Sequence, residues 1–174
     1  MTPLGDGYRN ALNGEDFPAD FRDFIANLNE AGVEYVLVGG YAVGAYGYVR
    51  ATSDIDFFYH QTKENIERLI EALRKFGAPE ALIDASHLGR PAAMTALGAP
   101  PTQIELLAEI SGVTFAEATR DALILDIDGE PLRIIGLAAL RANKQASGRR
   151  KDRDDLQHLP TSIPIASRKS GRGR

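Results

Sequence analysis

The 174-residue chain is 44% hydrophobic and 25% charged, a composition typical of a globular protein long enough for one domain. It contains no Cys, which excludes disulfides, thiolate chemistry and zinc–thiolate sites. The N-terminus lacks a charged start followed by an apolar run, and no apolar stretch approaches about 18 residues. We therefore expect a cytoplasmic protein with neither a signal peptide nor a membrane span.

The net charge of −4 is unevenly distributed along the chain. Residues 160–174 contain four basic residues and no acidic residue, whereas the preceding 159 residues carry −8. The basic residues of this segment are Arg168, Lys169, Arg172 and Arg174. We predict one domain over 1–159 and a basic, disordered tail over 160–174. A solubilising role is the simpler interpretation of the tail, and binding to a polyanion such as RNA is the alternative.

The predicted elements alternate between helices and strands. Apolar residues at helical spacing and flanking caps predict helices at 17–31, 41–47, 63–76, 114–120, 137–147 and 151–159. Short β-rich runs bounded by turn residues predict strands at 35–39, 53–60, 93–98, 102–110, 122–128 and 130–135. Residues 78–91 fit neither pattern. This order predicts an α/β (α+β) fold, with a small mixed β-sheet flanked by helices and with helices at the C-terminal end.

The tripeptide Asp54-Ile55-Asp56 lies within a predicted strand. Because side chains alternate between the faces of a strand, the two aspartates share one face. Two neighbouring carboxylates require a cation between them or a raised pKa. Ligands that offer only oxygen suit Mg²⁺ or Mn²⁺, and Mg²⁺ needs few carboxylates when substrate phosphates complete its coordination. The motif therefore predicts a divalent metal site.

Gly39-Gly40 ends the preceding strand and opens a short predicted helix, with 13 residues between Gly40 and Asp54. Glycine allows a phosphate to approach the backbone closely, and a helix start offers free N–H groups. Each feature by itself is common, but a phosphate cradle beside metal-binding carboxylates is typical of phosphoryl or nucleotidyl transfer. The chain is therefore expected to bind a nucleoside triphosphate.

The stretch VGGYAVGAYGYVRATSDIDFF resembles the signature of the DNA polymerase β superfamily of nucleotidyltransferases. It is similar to the small prokaryotic branch, which includes enzymes of abortive-infection and toxin–antitoxin systems. An R-x-T-x-D-I-D run is frequent in that branch, and Arg50, Thr52, Asp54 and Asp56 match it. The resemblance implies that Asp54 and Asp56 are catalytic metal ligands and that the glycines, Arg50 and Thr52 bind the nucleotide.

The resemblance implies further site residues beyond this stretch. A third carboxylate on a later strand completes the metal site in the superfamily, and Glu105 is the best match, with Glu109 as the runner-up. LAALRANKQASGRRKDRDDLQHL resembles the C-terminal part of the same branch, which implies that its basic residues Lys144, Arg149 and Lys151 approach the triphosphate. The implied acceptor is a hydroxyl of a tRNA 3′ end, of a partner protein or of a small molecule. A non-catalytic partner in a toxin–antitoxin pair is the alternative function.

A second copy of the tripeptide, Asp126-Ile127-Asp128, has a different interpretation. Asp128-Gly129 fits the central positions of a tight hairpin turn, where positive φ is required, so this copy is expected to be structural.

Other polar and aromatic residues lie near the same motifs. We expect His60 to have a surface or hydrogen-bonding role, since nucleotidyl transfer needs no histidine. Tyr41, Tyr46 and Tyr48 lie near the glycines and either stack on a base or pack in the core.

Overall fold

The computed structural model of the chain describes residues 12–163, and its centre is one mixed six-stranded sheet. The strands are β1 (Tyr35–Val38), β2 (Asp54–Tyr59), β3 (Met94–Leu97), β4 (Gln103–Leu107), β5 (Leu123–Ile127) and β6 (Glu130–Ile134). Their order across the sheet is β3-β4-β2-β1-β6-β5. The pairs β2/β4 and β1/β6 are parallel and the other neighbours are antiparallel. The predicted α/β class with a mixed sheet is confirmed.

The helices of the described part match the predicted order. They are α1 (Ala19–Glu30), α2 (Gly39–Ala45), α3 (Lys63–Phe76), α4 (Ala85–Leu88), α5 (Phe115–Thr119), α6 (Leu137–Ser147) and α7 (Arg150–His158). The ambiguous residues 78–91 contain a 3₁₀ turn and the four-residue α4. None of these helices has both the length and the apolar character needed to cross a membrane.

Local capping explains why α3 has the predicted boundaries. The Thr62 side chain accepts a hydrogen bond from the Asn65 amide, and Gly77 ends the helix at φ +89°. The prediction for α2 was wrong at its start, because the helix begins at Gly39 rather than at residue 41. Gly39 and Gly40 therefore form the first turn of α2.

The two faces of β2 have different neighbours. Ile55 and Phe57 are fully buried, and the Phe57 ring packs 5.4 Å from Phe24 of α1. Phe24 also contacts Phe76 of α3, so α1 and α3 cover this face of the sheet. Asp54, Asp56 and Phe58 lie on the opposite face because alternate residues of a strand point to opposite sides. This second face positions the candidate site.

The second aspartate pair forms the predicted hairpin turn between β5 and β6. Asp128 and Gly129 both have positive φ, at 54° and 90°, as a two-residue turn of this kind requires. The Asp126 carboxylate accepts a hydrogen bond from the Gly129 amide at 2.9 Å, and Asp128 pairs with Arg22 at 2.6 Å. The structural interpretation of this copy is confirmed.

The predicted basic tail is mostly beyond the described part of the chain. Ile163 is the last described residue and is partly buried against the core. The four basic residues assigned to the tail, Arg168, Lys169, Arg172 and Arg174, lie outside residues 12–163. The division at residue 160 therefore stays a prediction.

Candidate active site

The three acidic residues proposed from the sequence lie on one face of the sheet. Strands β2 and β4 are parallel neighbours, and their register places Asp56 directly beside Glu105 and Asp54 beside Gln103. All three carboxylates line an open cleft of about 550 Å³. The pairing joins segments that are distant in sequence, so the sheet brings together the acids that the resemblance implied.

The carboxylates of this cleft interact with one another. Protonated Asp56 hydrogen-bonds to Glu105, which also accepts a 2.7 Å hydrogen bond from Gln103. Burial, then the charge of Asp54, then the contact with Glu105 raise the pKa of Asp56 to about 7. None of the three acids forms an ion pair within residues 12–163. The site is therefore a cluster of carboxyl groups with no direct ion pair to a basic side chain of the described residues.

The glycine pair allows the backbone to approach these acids. Gly39 has φ +69°, and a Cβ atom at this position would overlap the Asp56 carboxylate. A Cβ atom at Gly40 would lie 2.9 Å from the Thr52 hydroxyl and 3.2 Å from the Arg50 guanidinium. Only glycine fits this close contact between the start of α2 and the acidic residues.

A Gly39→Ala variant should therefore lose both stability and activity. A side chain at positive φ costs about 1–2 kcal/mol, and the methyl group would in addition push Asp56 away from Glu105. Gly77→Ala is the matched control, because Gly77 also has positive φ but has no atom within 4 Å of the added Cβ. Urea unfolding and nucleotidyl transfer should be measured for both. Equal activity in the two variants would contradict the steric role of Gly39.

The basic residues assigned to the nucleotide are held by a buried acidic pair. Arg50 binds Asp155 through two hydrogen bonds of 2.6 and 2.8 Å. Lys144 contacts Asp152 at 3.0 Å and Asp155 at 2.9 Å, and Arg149 contacts Asp152 at 2.7 Å. The two aspartates are fully buried, and the Lys144 side chain is 2% exposed. We call these five residues the α6–α7 ion network.

The network changes how the basic residues can act. Burial raises the pKa of Asp152, but hydrogen bonds from Arg149 and Lys144 outweigh it and hold the pKa well below its usual range. Both acids are therefore ionised, and Lys144 is fully engaged with them. Arg149 is 61% exposed and lines the cleft, as does Arg50. A direct contact of Lys144 with phosphate stays a prediction.

Lys151 is the third basic residue for which the C-terminal motif implied a contact with the triphosphate. It is exposed, lines the cleft, and its charge lowers the pKa of Asp56. Within the described part of the chain it forms no ion pair of 4.0 Å or less and no hydrogen bond. Its position in the C-terminal motif was visible, but nothing local distinguishes this exposed lysine from the buried Lys144.

The alternative candidates have other environments. Glu109, the runner-up to Glu105, lies beyond the end of β4 and is exposed at the margin of the cleft. His60 contacts Glu34 at 3.1 Å, which agrees with the expected hydrogen-bonding role. Tyr41 packs against Phe17, and the buried Tyr46 hydroxyl donates to the Ile135 carbonyl, so these two tyrosines pack in the core. Tyr48 is less buried and donates to Asp154.

The donor set is suited to a divalent cation that a substrate helps to hold. Among residues 12–163, no three His, Cys, Asp or Glu side chains form a ready metal cage. Mg²⁺ does not need one, since one or two carboxylates and substrate phosphates can hold it while it keeps several waters. Asp54, Asp56 and Glu105 would hold such a cation, which would relieve the repulsion that raises the pKa of Asp56.

Comparison with known proteins identifies the family of this chain. The chain belongs to the family described as "Nucleotidyl transferase of unknown function (DUF2204)", whose model matches residues 18–169. A search of curated proteins finds no significant match. The crystal structure of ANT(2")-Ia in complex with adenylyl-2"-tobramycin is similar with a TM-score of 0.46 and 15% identity, covering 79% of this chain and 83% of that chain.

Proposed function

We propose that this protein transfers a nucleoside monophosphate from an NTP to a hydroxyl acceptor and uses Mg²⁺ or Mn²⁺. The observation that carries the proposal is the direct pairing of Asp56 with Glu105, with Asp54 on the same face of the cleft. Basic side chains line the same cleft. An acidic site for cations beside a basic site for phosphates is the arrangement that nucleotidyl transfer needs.

The acidic residues have separate roles in this proposal. Asp54 and Asp56 hold the metal, and Glu105 completes the site nearer the acceptor. When bound, the metal supplies a lowered pKa for the acceptor hydroxyl and stabilises the charge of the leaving pyrophosphate. Glu105 accepts the hydroxyl proton. The acceptor oxygen then forms a bond to the α-phosphorus, and the bond from that phosphorus to the pyrophosphate oxygen breaks.

The phosphate side uses backbone and cationic groups. The first turn of α2, at Gly39 and Gly40, lines the cleft together with Thr52, and its backbone N–H groups are donors for the phosphates. In this proposal Lys151 and Arg149, which are exposed in the cleft, bind the negatively charged triphosphate. Arg50 lines the same cleft and is oriented by Asp155. Lys144 supports these residues through the shared aspartates.

Metal affinity should depend on pH through Asp56. The pKa of about 7 is raised above the ordinary value of 3.8, so the metal-free site holds a proton below pH 7 that Mg²⁺ must displace. The apparent affinity for Mg²⁺ should rise with pH up to about 7 and become constant above it. Calorimetric titrations at pH 6 and 8, in buffers of different ionisation enthalpy, should show proton release only at pH 6. Equal proton release at both pH values would contradict the assignment.

A labelling experiment tests the proposed reaction. The protein is incubated with Mg²⁺, total tRNA, cell lysate or small hydroxyl compounds, and ATP labelled at either the α- or the γ-phosphate. Nucleotidyl transfer places the α-label on an acceptor and the γ-label in pyrophosphate, whereas a kinase would transfer the γ-label. The same reactions are run with each of the four NTPs, since the cleft geometry gives no preference among bases.

The labelled product also tests the roles implied by the sequence resemblance. Label on tRNA or on one protein band would favour a toxin–antitoxin component that modifies that acceptor. A protein that labels nothing and shows no Mg²⁺-dependent NTP binding would instead be a non-catalytic partner with this fold. The three carboxyl groups in one cleft favour catalysis, because groups with strongly shifted pKa values, such as Asp56, concentrate at catalytic sites.

A further inference from the structure

A second groove of about 520 Å³ adjoins the candidate active site. Its lining includes Phe58, His60, Phe115 and Glu117, and it shares Glu109 and Ile110 with the cleft. We call it the Phe115 groove. Because two residues line both spaces, the groove and the cleft meet at the end of β4.

The sheet fixes how far the groove lies from the acids. Asp56 and Phe58 are alternate residues of β2 and share one face, about 7 Å apart along the strand. On β4 the register pairs Glu105 with Asp56 and Leu107 with Phe58. One strand repeat therefore separates the carboxylates from the start of the groove. A compound in the groove can present a hydroxyl to Glu105.

Charge differs sharply between the two spaces. The cleft is lined by Arg50, Lys144, Arg149 and Lys151. The described lining of the groove contains no Lys or Arg and two glutamates. Glu109 is exposed and forms no ion pair or hydrogen bond within residues 12–163. Hydrogen bonds from the Thr114 amide and hydroxyl, together with the charge of Arg120, lower the pKa of Glu117, so Glu117 carries charge at neutral pH.

Aromatic rings form one wall of this groove. The Phe115 ring stacks on His60 at 4.6 Å with an angle of 2°, and it meets the edge of Phe58 at 5.3 Å. Aromatic faces attract cations and pack against the apolar faces of ring compounds. The volume lies within the range of small-molecule sites. Negative charge repels a polyanion such as RNA and attracts an amine.

We propose that the Phe115 groove binds the acceptor and that the acceptor is a small, amine-bearing hydroxyl compound. The inference rests on the proposed nucleotidyl transfer and adds the substrate class. The ammonium groups lie near Glu109 and Glu117, and one hydroxyl of the compound faces Glu105. Its oxygen becomes esterified to the α-phosphorus, its proton passes to Glu105, and pyrophosphate leaves. The amines take no covalent part.

Two matched probes test the acceptor class. Glucosamine oligomers and the same oligomers after N-acetylation differ in their amines and charge but retain the same hydroxyls. With α-labelled ATP and Mg²⁺, the charged oligomers should become labelled, whereas the acetylated oligomers and tRNA should not. Label on tRNA, on a protein or equally on both oligomers would overturn this inference and leave nucleotidyl transfer intact. A protein that labels nothing and binds no MgATP would overturn the proposed function itself.

Glutamine variants test the groove. Glu117→Gln removes the charge and retains a residue that can complete the capping box with Thr114. Combined with Glu109→Gln it should raise the KM for glucosamine oligomers about tenfold. Glu117→Gln should leave the Kd for MgATP unchanged. Glu64→Gln, an equal charge change on α3, is the control and should alter neither. An unchanged KM in the double variant would contradict the groove assignment.

Discussion

Replacing Asp56 by Asn should reduce nucleotidyl transfer by a factor on the order of 10³ or more, because it removes a central ligand of the proposed metal site. The same variant should be more stable than the parent in metal-free buffer at pH 8. At that pH the Asp56 carboxylate of the parent is ionised, although burial, the charge of Asp54 and the contact with Glu105 all disfavour the charged form. An amide of the same shape has no charge to desolvate.

The sign of this stability difference follows from the raised pKa. Between about pH 4 and pH 7 the folded parent holds a proton on Asp56 that the unfolded chain has released, so its free energy of unfolding falls as pH rises through that range. The variant lacks this decrease. We expect an advantage of about 4 kcal/mol at pH 8 that is nearly absent at pH 4.

Asp128→Asn is the matched control for this experiment. It makes the same chemical change in the other copy of the tripeptide, where Asn-Gly is a favoured turn sequence and only an exposed ion pair with Arg22 is lost. Its activity should equal that of the parent. Urea unfolding at the two pH values and the rate of α-label transfer are the measurements. Full activity of Asp56→Asn would refute the metal site.

Replacing Lys144 by Met should destabilise the protein by about 3–5 kcal/mol. The lysine is buried between Asp152 and Asp155, which have no exposed surface. Its removal leaves each carboxylate with one arginine and an uncompensated part of its charge in the interior. The large loss of stability therefore comes from leaving buried carboxylates without full charge compensation, rather than from losing one favourable ion pair.

Lys151→Met is the control for that result. This lysine lies seven residues further along the chain in the same motif but is exposed, so its replacement should change the free energy of unfolding by no more than about 0.5 kcal/mol. It should instead weaken the binding of MgATP. Opposite outcomes, with Lys151→Met destabilising and Lys144→Met neutral, would contradict the proposed division between a buried and a nucleotide-facing lysine.

A double replacement separates the network from general damage to the core. Adding Asp155→Leu to Lys144→Met removes one of the uncompensated carboxylates, and the released Arg50 can be hydrated because its side chain is 20% exposed. The double variant should recover part of the lost stability. A further loss equal to that of an independent core substitution would show that the charges are not coupled.

Features with local causes could be predicted from the residues. The Thr62 cap and the glycine at 77 define α3, and Asp128-Gly129 defines the β5–β6 hairpin. The two copies of the same tripeptide could be distinguished because the second copy is followed directly by Gly129, and Asp-Gly is a turn sequence. The class of the fold and the shared face of Asp54 and Asp56 on β2 could also be predicted from local causes, since alternation along a strand is a property of the backbone.

Features with distant partners could not be predicted in this way. The register that sets Asp56 beside Glu105 and the ion pair of Arg50 with Asp155, 105 residues away, depend on how the sheet and α7 pack. The same is true of the buried Lys144 and the exposed Lys151, which are chemically alike. Amino-acid order fixes alternation, caps and turns through neighbouring atoms, whereas burial and charge pairing arise only when remote segments exclude water together.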